Sequence, residues 1–191
     1  NEWVAVTGAA GGAGLAAIEI AKVMGARVIA VASSEEKLAI CRAHGADAVI
    51  DYGKEDLKQA RRERTGGAGV DVVYDCVGGE AAEPALRALR WNGRFLVVGF
   101  ASGDIPKFPL NLLLVKGVSV MGVFWGEAVK RDPAGHRANM EFVLRAVADK
   151  LRNEPFNLEI TGHTDLLPIS NSVFASNWEL SAVRATSVVR L

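Results

Sequence analysis

Val4-Ala-Val-Thr-Gly-Ala-Ala-Gly-Gly-Ala-Gly14, running on into Leu15-Ala-Ala-Ile-Glu-Ile-Ala21, decides how the rest of the chain is read. An apolar, β-branched run stops at Thr7, small residues fill positions 8–14, and an Ala/Ile-rich amphipathic stretch begins at once. That order spells a strand, a tight turn and a helix in direct succession.

The core of the turn is Ala9-x-Gly11-x-x-Gly14, a dinucleotide fingerprint with alanine at its first glycine and Gly8 one place earlier. Gly11 lets a backbone approach a diphosphate, and Gly14 lets helix pack on strand. Gly12, Ala13 and Gly14 leave the amides of the helix mouth bare, where the positive end of the helix dipole also points. Glycine strings arise at sterically tight corners too, so the weight of this one comes from its place at the first crossover.

Outward from the turn, strands are expected at 27–32, 48–51, 70–74, 94–98 and 118–124. Helices are expected at 12–25, 35–44, 55–64, 80–90, 110–116 and 133–151. Strands spaced by helices require parallel pairing with right-handed crossovers, and strands apolar nearly throughout, as these are, fit a sheet covered on both faces. The fold class is therefore α/β, a doubly wound, mostly parallel Rossmann sheet over residues 1–152, with a C-terminal strand-loop-helix appendage over 153–191.

The cofactor type is read about 20 residues past the turn, where an acid would bond the ribose 2′-hydroxyl of NAD. Here the strand ends Val31-Ala-Ser-Ser34, without an acid at 32 or 33, leaving room for a 2′-phosphate that Ser34 and Lys37 would bind. The expectation is NADPH ahead of NADH. Glu35 and Glu36 pull the other way, and Lys37 also reads as a solvated helix charge.

Lys+Arg and Asp+Glu both number 22, so no basic face for nucleic acid or an anionic membrane is expected. No apolar run reaches the ~20 residues of a membrane span, and no signal peptide opens the chain, which points to the cytoplasm. Cys41 and Cys76 lack disulfide or metal spacing, and His44, His136 and His163 are scattered, so no metal site, triad or carboxylate pair is expected and catalytic residues stay unassigned. The chain opens on Asn1 almost directly into a strand, so it reads as cut from something longer.

Several segments in order carry a family likeness: Val6-Thr-Gly-Ala-Ala-Gly-Gly-Ala-Gly14, Ser33-Ser-Glu-Glu-Lys-Leu38, Gly45-Ala-Asp-Ala-Val-Ile-Asp-Tyr52, Gly69-Val-Asp-Val-Val-Tyr-Asp-Cys-Val-Gly-Gly79, Gly93-Arg-Phe-Leu-Val-Val-Gly-Phe100, Asn111-Leu-Leu-Leu-Val-Lys-Gly117 and Gly122-Val-Phe-Trp-Gly126. Over about 125 residues the chain resembles the cofactor half of the medium-chain dehydrogenase/reductases, in their zinc-free quinone oxidoreductase branch. The resemblance implies that Ser34, Lys37 and Tyr52 gather at the adenosine phosphate, and that Val77, Gly78, Gly99 and Phe100 line the nicotinamide side. It also implies a homodimer through the strand 118–123, and hydride transfer to a small-molecule quinone or enone with the cofactor doing the chemistry. The family's N-terminal substrate domain is missing from this chain, so activity alone is in doubt.

The last residues depart from that family. Ile160-Thr-Gly-His-Thr-Asp165, Pro168-Ile-Ser170 and the run 174–191 resemble part of the OmpA-like peptidoglycan-binding domain of flagellar stators. That likeness implies wall-peptide contacts at Asp165 and Arg184, although a turn carboxylate and a helix surface charge explain both residues equally. A join between two sources is expected near Arg152-Asn-Glu-Pro155. The expected function is the NADPH-binding portion of a quinone or enone reductase; the alternative is a non-catalytic cofactor module or a recombinant chimera.

Overall fold

The computed structural model describes residues 1–55 and 63–152. Contacts divide the chain into two compact units, 1–125 and 126–191.

The first unit holds six strands: β1 (Trp3–Thr7), β2 (Arg27–Ala32), β3 (Ala48–Asp51), β4 (Val70–Asp75), β5 (Leu89–Val97) and β6 (Ser119–Gly122). They form one sheet in the order β3-β2-β1-β4-β5-β6, with every neighbouring pair parallel. The helices are α1 (Gly12–Val23), α2 (Glu35–Ala43), α3 (Ala82–Arg87) and α4 (Leu110–Lys116), with a 3-10 turn at Gly79–Ala81. The expected doubly wound α/β fold is present.

Alternation along the strands sends successive side chains to opposite faces, and each face builds its own core. Val6, Val28 and Ala30 meet Ile18 of α1 and Cys41 of α2 on one face. Ala5, Ile29, Val31, Val73 and Phe95 meet Leu86 of α3 and Leu112 of α4 on the other. Phe95 is fully buried and takes the ring of Phe108 edge-on at 5.2 Å and 71°. A buried acid staples the lower rim: Asp71 accepts from the Trp3 amide at 2.8 Å and pairs with Arg90 at 2.8 Å.

Three element expectations needed revision. The helix expected at 80–90 is shorter, because Leu89 already pairs with Val70 and so begins β5. β5 then bulges before Arg94 pairs with Val72, and Asn92 takes φ +60 at that bulge. The sixth strand is four residues, Ser119–Gly122, rather than 118–124.

A helix α5 (Trp125–Arg131) that the sequence did not announce follows the last strand. Of the second unit, α6 (Pro133–Leu151) is described; the Asp132 side chain caps it by accepting from the Gly135 amide at 2.9 Å, with proline in its first turn. Most of the expected helix 55–64, the appendage 153–191, and with it Asp165 and Arg184, lie outside the described residues. Among the described residues no helix is long and apolar enough to cross a membrane.

Candidate cofactor site

The crossover from β1 runs to β2 on one side while β4 lies on the other, so the loops at their C-terminal ends part and open a crevice. A cleft of about 620 Å³ fills it, within the usual range for ligand sites. Gly8, Gly11, Ser33, Lys37, Tyr52, Val77, Gly78 and Ser102 are among its lining residues.

At the centre stands the mouth of α1. Gly11 is the N-cap, extended at φ −81 and ψ 165, without a side-chain cap, and the first turn carries no acid. Gly11, Gly12 and Ala13 are exposed, whereas Gly14 is buried. A Cβ on Gly14 would sit 2.6 Å from the Cα of Ala9, so helix and turn touch there backbone to backbone. A Cβ on Gly12 would meet nothing within 4 Å. The space over Gly12 therefore has no internal packing purpose, and first-turn amides facing it suit an anion.

At one end of the cleft Lys37 Nζ donates to Ser33 Oγ at 3.1 Å, and Tyr52, 52% exposed, stands beside them. Ser34 stands at the start of α2. Its hydroxyl caps α2 by accepting from the Lys37 amide at 3.4 Å, and Ser33 takes its place on the cleft wall. β2 ends at buried Ala32, and Glu35 is paired with Arg42. No carboxylate among the lining residues stands at this end.

Val77, Gly78, Ser102 and Asp104 form the opposite wall. Gly99 and Phe100 lie behind it: the Gly99 amide donates to Asp75 O at 3.2 Å, and the Phe100 ring would stand 2.9 Å from a Cβ on Gly78. Of the eleven residues expected at the cofactor, Gly11, Lys37, Tyr52, Val77 and Gly78 line the cleft. Gly12, Ala13 and Gly14 form the helix mouth beside it.

The sequence reading missed Ser33, Thr7, Asp75 and Ser102. Ser34-Glu-Glu-Lys37 reads as an N-cap followed by acids in the first helical turn, and that signal assigns Ser34 to the cap and releases Ser33. An acid at the C-terminal end of a buried strand, as Asp75 is, was the corresponding signal for the far wall.

Burial pushes the Cys76 thiol up, and the charge of neighbouring Asp75 adds to it; burial likewise raises Tyr74 and Cys41. None of these groups is prepared as a nucleophile. Among the described residues no group of three or more His, Cys, Asp and Glu side chains is arranged to hold a metal ion.

Comparison with known proteins places the chain in a family. The family model for zinc-binding dehydrogenases matches residues 12–145. A quinone oxidoreductase-like protein 2 homolog from Nematostella vectensis is 45% identical over 145 residues, which are 75% of this chain and 40% of that protein. The quinone oxidoreductase-like protein 2 of Rattus norvegicus is 43% identical over 146 residues, 76% of this chain and 42% of the relative. Among solved structures, the Escherichia coli quinone oxidoreductase complexed with NADPH superposes with a TM-score of 0.68 at 33% identity, over 77% of this chain and 46% of that one. The chain thus spans 40% to 46% of the length of these relatives. The OmpA-like likeness falls beyond the residues that the family model matches.

Proposed function

The chain belongs to the zinc-binding dehydrogenase family, and from that premise we propose that it is the NADPH-binding portion of an oxidoreductase that reduces a quinone or enone. The observation that carries this reading is the uncapped mouth of α1, with open space over Gly12, beside a cleft at the switch point of the sheet that Gly11 lines.

Bound NADPH supplies the hydride. The protein's part is to bind and orient it: amides of Gly12, Ala13 and Gly14 take the diphosphate, Ser33 and Lys37 take the 2′-phosphate, and the Val77–Gly78 wall receives the nicotinamide ring. β6 is one edge of the described sheet, and in this reading a second copy pairs with it.

Equilibrium titration of the whole chain with NADPH and with NADH tests the cofactor assignment. NADPH should bind at least about tenfold tighter, or ~1.4 kcal/mol, and Lys37→Ala should remove most of that gap. Equal affinities in the unaltered chain would retire the 2′-phosphate pocket. A second reading is a cofactor-binding module without catalysis, for which the cleft alone suffices. Consumption of NADPH in the presence of a simple quinone separates the two.

A further inference from the structure

Asp75 ends β4 with 2% of its surface exposed, and direct contact with the cofactor leaves it unused. The sheet register sets it beside Thr7 at the C-terminal ends of the two central strands, and the Thr7 hydroxyl donates to its Oδ1. The same carboxylate accepts from the amide of Val77 at 3.1 Å and from that of Gly78 at 3.2 Å. A buried charge is tolerable because these donors replace water, and a carboxylate can accept all of them at once.

The next loop holds the wall from the other side. Val77 O accepts from the Ser102 amide at 3.0 Å and from the Ser102 hydroxyl at 2.7 Å, and the Gly79 amide donates to Asp104 O at 3.0 Å. Gly78 and Gly79 take φ +69 and +62, and a Cβ on Gly78 would meet Asp104 O and the Phe100 ring at 2.9 Å. The amides of 77–79 are therefore all turned inward, so this wall offers a ligand no backbone donor. The donors of the cleft gather at the α1 mouth opposite. Such polarity sends the diphosphate to α1 and leaves the wall to an uncharged ring.

We infer that Asp75 is a positioning residue: through the Val77 and Gly78 amides it fixes the wall against which the nicotinamide half lies, and so governs affinity for that half rather than for the adenosine half. This rests on the cofactor reading above.

The test is calorimetric titration of the full chain with NADPH and, separately, with adenosine 2′,5′-bisphosphate, which lacks the nicotinamide. The unaltered chain should bind both. Asp75→Asn, which puts an amide donor among groups that need an acceptor, should weaken NADPH about tenfold and leave the bisphosphate within about twofold. Should that variant fail to fold, Ser102→Ala, at an exposed position, loosens the same wall from outside; it should cost about threefold on NADPH alone. Equal losses on both ligands, or no loss on either, would overturn the assignment. If the unaltered chain binds neither ligand, the cofactor reading itself falls, and this inference with it.

Discussion

Gly12 and Gly14 stand two positions apart and are small for different reasons. A methyl group on Gly14 would be driven into the backbone of Ala9, so Gly14→Ala should cost about 1–3 kcal/mol of stability or more. A methyl on Gly12 meets nothing in the protein, so Gly12→Ala should leave the melting temperature unchanged or slightly higher while weakening NADPH at least about tenfold. Thermal melts and titrations of both variants check the pair; loss of stability at Gly12, or unchanged binding there, would contradict the ligand-facing role. The packing role of Gly14 was legible before the structure, because the fingerprint spacing assigns its last glycine to helix–strand contact and Gly11 to ligand approach. The choice between Ser33 and Ser34 was less so, since two adjacent serines are equivalent until the start of α2 is placed exactly.

Elements are tied together by a few acids whose titration has a definite sign. Burial alone would raise Asp47, but hydrogen bonds from Lys22 of α1 and from the Val28 amide of β2 outweigh it and hold the carboxyl below its ordinary value. Its folded pKa is depressed, so its contribution is present above the unfolded value and is lost as pH falls through the folded one. Denaturant unfolding followed below about pH 4 should show that loss, and Asp47→Asn should flatten it at a neutral-pH cost of about 1 kcal/mol or less. Cys41, Cys76 and Tyr74 are raised instead, chiefly by burial, so they keep protons that the unfolded chain releases. Stability should therefore decline as pH rises beyond the ordinary values of 9.0 for cysteine and 10.0 for tyrosine. A stability plateau to higher pH would argue that these side chains are solvated.

At this scale the sequence spoke clearly for β1, α1, β2, α2 and β3, where apolar period and turn glycines agree. It spoke poorly at 80–97. There a short helix passes directly into a strand whose bulge is fixed by pairing with β4, a long-range contact that local pattern does not carry.

For the molecule, strands spaced by helices already required parallel pairing, whereas the order β3-β2-β1-β4-β5-β6 comes from the structure, and family membership agrees with it. The pairing of copies through β6 is less direct, because an open edge says that a partner fits without saying which. Sedimentation equilibrium should give twice the chain mass, whereas a monomer at all concentrations would remove the dimer from the account. The account as a whole depends on the amides at the α1 mouth, and amide chemical shifts in a uniformly labelled chain titrated with NADPH observe them directly. The resonances of Gly12, Ala13 and Gly14 should move saturably, together with those of Ser33 and Val77. Saturable binding that leaves the Gly12–Gly14 amides unmoved, or no binding at all, would contradict it.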